Sequence, residues 1–249
     1  MSDDIAEIWS AAADDWSTYW AASAQPVWPA LLDGAAVAPG ARVLDVGCGS
    51  GQLLAHLESQ GFAVAGTDPA PRMVELAREH APGADVRLGG FEALPFPDGA
   101  FDAVLAVNSL QFAEDHVAAL REAARVLAPG GAIGVASWAE TSRNDIETVE
   151  DALAAAHDEE PGEDPDYRLP GGLEAWLTDA GLHVVAAGTV DVTWEAQDDG
   201  ALVRGILFGE DDATIEELAP VVREASAPFR TSAGGYRFAN AFRFAVGRP

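Results

Sequence analysis

The chain has 249 residues, and 49% of them are hydrophobic, which is enough for a sizeable core. Forty-one acidic residues face fourteen basic ones, all of them arginine, and the formal net charge is -27. This charge disfavours nucleic acids and membrane surfaces as partners, because both are anionic and bind basic patches. No apolar run approaches the ~18 residues of a membrane span. The single cysteine, Cys48, excludes an internal disulfide, so we expect a cytoplasmic protein.

The acidity itself has two interpretations. It is typical of a very soluble protein, or of one adapted to a salty cytoplasm where self-repulsion is screened. The alternative is a field that attracts cationic substrates.

In chain order, the first predicted unit is an aromatic segment, 1–38, which Pro26 and Pro29 divide into one or two short helices. From residue 39 to residue 139, strands and helices alternate. The strands are predicted at 42–47, 63–68, 85–88, 101–107 and 132–138, and the helices at 51–60, 70–80 and 115–128. This alternation predicts an α/β fold with a parallel sheet and right-handed crossovers.

Beyond residue 139 the composition changes. Residues 140–170 form an acidic insertion, predicted to be a mostly solvated helix and loop. Residues 171–249 are predicted to complete the sheet, with a helix at 172–180, strands at 183–194 and 236–246, and a second insertion near 195–230. We expect one domain over 1–249, and the sequence leaves the oligomeric state open.

The segment VLDVGCGSG, residues 43–51, predicts a strand that runs into a glycine-rich turn. Glycines at 47, 49 and 51 let the backbone turn tightly and approach a ligand at the carboxyl end of the strand. The spacing is G-x-G-x-G, whereas the dinucleotide fingerprint needs its third glycine one residue later. Asp68 ends the next strand, where an acid can accept hydrogen bonds from both hydroxyls of an adenosine ribose. Its alternative role is a helix N-cap.

Four segments in this order carry a resemblance: VLDVGCGSG, GTDPAPRM, FEALPFPDGAFDAVLAVNSLQF and EAARVLAPGG. Together they resemble the class I S-adenosylmethionine (SAM)-dependent methyltransferases, in particular the ubiquinone/menaquinone-biosynthesis-type small-molecule enzymes. The resemblance covers roughly residues 35–140. It implies a Rossmann-like, doubly wound, mostly parallel seven-stranded sheet with an antiparallel last strand. It also implies an N-terminal helical cap and SAM as the cofactor.

The resemblance implies cofactor-binding roles for particular residues. Asp45 and the turn at Gly47, Cys48 and Gly49 would hold the methionine part of SAM, and the backbone carbonyl of Asn108 would approach its amine. Asp68 would hold the ribose. The adenine would lie between two walls, formed by Pro69 and Met73 and by Gly90, Phe91 and Glu92. Relatives commonly carry an Asp-Ala pair where this chain has Gly90-Phe91, so the usual carboxylate for the adenine amino group is absent.

The acceptor site is expected between the N-terminal segment and the turn after the fourth strand. Its predicted substrate-binding residues are Trp16, Tyr19, Trp20, Gln111 and Phe112. His116 is the candidate catalytic base, and an exposed histidine in the first turn of a helix is the alternative. A base is needed only if the acceptor is a hydroxyl or a carbon acid. No metal site is predicted.

The leading hypothesis is therefore in-line methyl transfer from SAM to a small-molecule acceptor. The alternative is a SAM-binding protein without methyl transfer, either regulatory or using the sulfonium electrostatically. The glycine spacing disfavours a nicotinamide-dependent oxidoreductase, and the absence of a basic surface disfavours a nucleic-acid methyltransferase. The sequence leaves open whether oxygen, nitrogen or carbon is methylated.

Overall fold

The computed structural model describes the backbone of residues 3–249 and the side chains from residue 5 onward. Within these residues, seven strands form one sheet: β1 (Arg42–Val46), β2 (Ala63–Asp68), β3 (Asp85–Leu88), β4 (Phe101–Val107), β5 (Leu127–Trp138), β6 (His183–Ala196) and β7 (Tyr236–Arg248). Their order is β3-β2-β1-β4-β5-β7-β6. Strands β1 to β5 pair in parallel, whereas β7 is antiparallel to both β5 and β6. The predicted mostly parallel sheet with an antiparallel last strand is confirmed.

Nine α-helices accompany the sheet in the described part of the chain: α1 (Asp3–Tyr19), α2 (Trp28–Ala35), α3 (Gln52–Ser59), α4 (Pro71–His80), α5 (His116–Val126), α6 (Glu147–Ala156), α7 (Gly172–Asp179), α8 (Asp199–Ile206) and α9 (Asp212–Ser226). None of these described helices is long and apolar enough to cross a membrane. The predicted helix over 115–128 ends earlier, at Val126, because Leu127 already pairs with Phe101 in the sheet. The predicted one or two short N-terminal helices are a 17-residue α1 and an eight-residue α2.

Both faces of the sheet are buried, as expected for a doubly wound fold. On one face, Val43 of β1 belongs to a core cluster with Leu31 of α2 and Leu54 of α3. On the other face, the next residue, Leu44, belongs to a cluster with Leu120 of α5. Side chains of a strand alternate between faces, so β1 is covered on both sides.

The two acidic insertions are more ordered than the prediction of a mostly solvated segment. Helix α6 buries Val149 completely, and with Ile146 it joins a third core cluster. Positions 146, 149 and 153 have helical spacing, so α6 presents one apolar stripe although it also carries three acidic residues. This cluster also contains Trp20, which directly follows α1, and Leu202 of α8. The insertions and the N-terminal helix therefore form a layer at the carboxyl end of the sheet.

Candidate functional site

The glycine-rich turn joins β1 to α3 and is attached to the end of β2. The backbone amides of Gly47 and Cys48 both donate hydrogen bonds to the carbonyl oxygen of Thr67, at 2.8 and 2.9 Å. Gly49 and Gly51 have φ of +51° and +87°, which favours glycine. A Cβ at Gly51 would lie 2.7 Å from Cα of Ala77, whereas the nearest atom to a Cβ at Gly49 is Nε1 of Trp16, at 3.8 Å. Gly51 thus permits close packing, and Gly49 leaves room beside the turn.

Two buried carboxylates lie beside this turn. Asp68 accepts hydrogen bonds from the backbone amides of Gly49 and Ala70, each at 2.9 Å, so it orients both the turn and the start of α4. Asp45, at 3% exposure, has a carboxylate oxygen, Oδ1, that is buried without a hydrogen-bond partner. A buried carboxylate oxygen without a partner is costly. This oxygen is therefore available to a ligand that supplies a donor or a positive charge.

The carboxylates of Asp45 and Asp68 titrate far from their ordinary range. Burial, together with the charge of Asp68, raises the pKa of Asp45 to about 7. Burial raises the pKa of Asp68 to about 6, although hydrogen bonds from the amides of Ala70 and Gly49 oppose the rise. A ligand that brings a positive charge or hydrogen-bond donors to these carboxylates would lower both raised pKa values again.

These pKa values predict how stability depends on pH without ligand. The folded protein holds protons on Asp45 and Asp68 that the unfolded chain, with pKa values near 3.8, has already released. The free energy of unfolding should therefore fall as pH rises from about 4 to about 7, by about 3 kcal/mol for Asp45 alone. Denaturant titrations at pH 5 and pH 8 would measure it.

The matched control for this prediction is Asp45→Asn. General repulsion among the acidic side chains also grows over this pH range, but it is common to both proteins. The variant should therefore lose less stability than the wild type between the two pH values. Equal losses in both proteins would contradict the assignment of a titrating Asp45.

A cavity beside the turn, here called the turn cavity, brings together most of the residues that the sequence assigned to the cofactor. Its lining includes Asp45, Gly47, Cys48, Gly49, Asp68, Pro69, Met73 and Asn108. Cys48 is a buried free cysteine whose thiol pKa is raised by burial. Within the described residues, the predicted second adenine wall does not line this cavity. Phe91 is instead buried in the core, and Gly90 and Glu92 lie outside the lining.

Asn108 follows β4 and adopts the left-handed region, with φ of +53°. Its backbone amide donates to the carbonyl oxygen of Ala136 at 2.7 Å, and its side-chain oxygen accepts from Nε2 of Gln111 at 3.1 Å. Asparagine tolerates this conformation better than most residues. The chain therefore bends at Asn108, and this residue lines both the turn cavity and a second, adjoining one.

The second cavity has a volume of about 390 Å³ and is here called the aromatic cavity. Six aromatic residues line it: Trp9, Trp16, Trp20, Phe112, Trp138 and Phe208. Their rings form a continuous set of contacts, for example Trp9 edge-on to Trp16 at 5.0 Å and Trp16 stacked on Trp20 at 6.2 Å. The polar lining consists of Asn108, Gln111, Glu147, Glu150 and Arg168.

The predicted acceptor residues divide between this cavity and the core. Trp16, Trp20, Gln111 and Phe112 line the aromatic cavity. Tyr19 lines neither cavity, and its backbone carbonyl accepts a hydrogen bond from Nε1 of Trp194 at 2.7 Å. Tyr19 packs against the third core cluster.

His116, the candidate base, lies at the start of α5 as predicted, but it lines neither cavity. Its ring stacks on Trp176 of α7, with ring centroids 4.5 Å apart. The preceding Asp115 caps the helix by accepting from the amides of Val117 and Ala118. Position 116 therefore faces α7, and this geometry gives His116 no direct access to a ligand in either cavity.

Several residues of the aromatic cavity escaped sequence reasoning. Trp9 belongs to the aromatic N-terminal segment, which was a usable signal. Trp138 belongs to β5, Glu150 to α6, and Phe208 to the turn after α8, and no local motif marks them. Their contribution depends on how distant elements pack together.

Comparison with known proteins agrees with this geometry. Residues 44–135 match the profile of the family described as methyltransferase domain. An uncharacterized protein of Mycobacterium tuberculosis is 39% identical over 117 residues, 45% of this chain and 43% of that protein. An uncharacterized methyltransferase of the same species is 37% identical over 107 residues, 43% of this chain and 44% of that protein. The chain spans less than half the length of these curated relatives.

A solved structure extends the likeness to the whole fold. A chain of the Haloferax volcanii complex that contains the Trm112 methyltransferase activator has a TM-score of 0.59. It is 24% identical, and the alignment covers 99% of this chain and 98% of that one. Residues 44–135 are thus similar to the methyltransferase domain family, which uses SAM as its cofactor, and the sheet order agrees with the fold of the similar solved structure.

The residues present fit this cofactor. The unpartnered oxygen of Asp45 suits the amine of an amino acid, and the Asp68 carboxylate suits a pair of hydroxyls. The open space at Gly49 lets the backbone approach a ligand.

Proposed function

We propose that this protein transfers the methyl group of SAM to a small-molecule acceptor bound in the aromatic cavity. The observation that carries the proposal is the junction of the two cavities. Trp9, Trp16, Trp20, Asn108 and Phe112 line both, so a ligand of the turn cavity and a ligand of the aromatic cavity would meet at these residues.

In this proposal the turn cavity holds the cofactor. Asp45 and the backbone of the glycine-rich turn bind the methionine part, Asp68 binds the ribose, and Pro69 and Met73 contact the adenine side. The backbone amide of Asn108 donates a hydrogen bond to the carbonyl oxygen of Ala136, and this bond fixes the bend of the chain at Asn108. The bend directs the backbone of Asn108 toward the junction. Rigid positioning of this kind is what a displacement at carbon requires.

When bound, SAM supplies a methyl group on a sulfonium, whose carbon–sulfur bond breaks as the acceptor's bond to carbon forms, with the electron pair remaining on sulfur. The protein's contribution is alignment and the exclusion of water. Alignment of two reactants can supply roughly 7–11 kcal/mol. The aromatic rings that surround the junction remove water from it. A proton released from the acceptor passes to solvent or to the carboxylate of Glu150, since His116 lies outside the cavity.

A small molecule is the acceptor class that the cavity suits. A volume of about 390 Å³ lies within the usual range of small-ligand pockets. Helices α1 and α6 contribute its walls, which limits access for a large polymer. The net charge of -27 opposes a nucleic-acid substrate.

The test is incubation of the full chain with SAM and a mixture of small metabolites, followed by mass spectrometry. We expect S-adenosylhomocysteine (SAH) to form together with a product heavier by one methylene unit. Asp68→Ala should strongly reduce both signals at the same protein concentration and at a SAM concentration that does not saturate the variant. Tight SAM binding without SAH formation in any mixture would instead favour a SAM-binding protein that does not transfer methyl groups. Binding of NADH and not of SAM would favour an oxidoreductase.

A further inference from the structure

The ionisable residues of the aromatic cavity are Glu147, Glu150 and Arg168. The guanidinium of Arg168 is already neutralised, because it forms an ion pair with Glu147 and another with Asp164 at 3.3 Å. Its Nε also donates to the carbonyl oxygen of Ala139 at 2.9 Å. Arg168 therefore has little capacity left to bind an anionic ligand.

Glu150 differs from Arg168, because no cation in the described part of the chain neutralises its charge. Its carboxylate forms no hydrogen bond or ion pair with any other described residue. Glu150 is solvent-accessible and lines the cavity, yet the protein atoms around it desolvate its carboxylate and raise its pKa, with the charges of Glu147 and Asp151 adding to the effect. The cavity thus holds an excess of negative charge at a carboxylate without a counter-ion.

The aromatic side chains of the cavity also favour a cationic ligand. The faces of tryptophan and phenylalanine rings carry negative potential and attract cations, most strongly where water is excluded. Trp138 and Phe208 line this cavity and do not line the turn cavity, so their contribution belongs to the acceptor rather than to the sulfonium. An alkyl ammonium group combines a positive charge for Glu150 with methylenes for the rings.

We propose that the acceptor is a small organic amine, protonated when free in solution, whose ammonium group binds at Glu150 among the rings of Trp138 and Phe208. This inference rests on the proposed function and names its substrate class. Glu150 acts as the counter-ion that selects the amine over neutral and anionic molecules of the same shape. A nitrogen that is itself methylated first gives a proton to this carboxylate or to solvent, which frees the lone pair that bonds to the methyl carbon. The net charge of the whole chain adds a long-range attraction for cations.

The test uses two pairs of probes that differ in charge and not in shape: phenethylamine against phenethyl alcohol, and choline against neohexyl alcohol. Each is titrated into the full chain saturated with SAH, and tryptophan fluorescence reports binding, since four tryptophans line the cavity. We expect the cation of at least one pair to bind about tenfold tighter than its alcohol. Hydrocinnamate, an anion of similar size to phenethylamine, should bind more weakly than either cation.

Variants test whether the preference for cations arises from residues of the aromatic cavity. Glu150→Gln should weaken the cation about tenfold and leave the alcohol and SAH unchanged. Phe208→Leu keeps apolar volume and removes a ring face, so it should weaken the cation severalfold more than the alcohol. Glu163→Gln is the matched control, because Glu163 is an exposed carboxylate in the same acidic segment and lines neither cavity.

The outcomes separate this inference from the proposed function. If SAH binds but neither cation is preferred over its alcohol, or if Glu150→Gln leaves the preference intact, the amine assignment is wrong while the cofactor assignment stands. If SAH itself does not bind to the wild type, the proposed function and the inference are both overturned.

Discussion

Replacing Asp68 by alanine should weaken the binding of SAM and SAH about 100-fold or more. The side chain is buried beside the glycine-rich turn, and it would bind two ribose hydroxyls, each hydrogen bond to a charged group being worth about 1.5–3 kcal/mol. The substitution also removes the acceptor of the Gly49 and Ala70 amides, so the turn itself loses orientation. Isothermal titration calorimetry with SAH measures the loss.

Two further variants make this result interpretable. Asp68→Asn keeps the volume and one acceptor oxygen, so it should lose affinity to a smaller extent and remain folded. Asp33→Ala removes an exposed carboxylate of α2 outside the turn cavity and should bind SAH like the wild type. If Asp68→Ala stays folded and keeps the affinity of the wild type, Asp68 does not bind the cofactor.

Alanine substitutions at two glycines of the same turn should affect different properties: Gly51→Ala mainly lowers stability, and Gly49→Ala mainly lowers SAH affinity. Gly51→Ala would place Cβ 2.7 Å from a backbone atom of α4 at a φ of +87°, and it should destabilise the protein by about 3 kcal/mol. Gly49→Ala meets no atom closer than 3.8 Å and should cost only about 1 kcal/mol, from its positive φ. However, its methyl group would occupy space in the turn cavity, so SAH affinity should fall at least about tenfold.

Urea denaturation and calorimetry on both variants separate these effects. A Gly49→Ala protein that binds SAH normally would show that the backbone at this position does not approach the cofactor. A Gly51→Ala protein as stable as the wild type would show that α4 can move away from the turn, contrary to the packing described here.

The parts of the fold and site that could be predicted from sequence are those with local causes. The strand before Gly47 is buried on both faces, so it appears as a continuous apolar run, and the turn after it requires glycine at fixed positions. Asp68 ends the next strand, and parallel strands bring their carboxyl ends to one edge of the sheet. These causes act within a few residues, which is why most residues assigned to the cofactor line the turn cavity, whereas Gly90, Phe91 and Glu92 do not.

The aromatic cavity could not be anticipated in the same way. Trp138 of β5, Glu150 of α6 and Phe208 after α8 line one cavity only in the folded chain, and no spacing in the sequence encodes that arrangement. The position of His116 depends on how α5 packs against α7, where its ring stacks on Trp176, and that packing is not encoded in the local sequence. The acidic content of residues 140–170 likewise hid the apolar stripe through which α6 joins the core.

The central claim, methyl transfer from SAM at the junction of the two cavities, is tested most directly with SAM that carries carbon-13 in its methyl group. The full chain is incubated with this cofactor and a panel of small organic amines, and the labelled methyl signal is followed by NMR. We predict that the sulfonium methyl signal is replaced by a new methyl signal on the acceptor, whose chemical shift identifies the methylated atom, and that Asp68→Ala greatly slows this change. Persistence of the sulfonium signal with every acceptor, in a protein shown to be saturated with SAM, would contradict the claim.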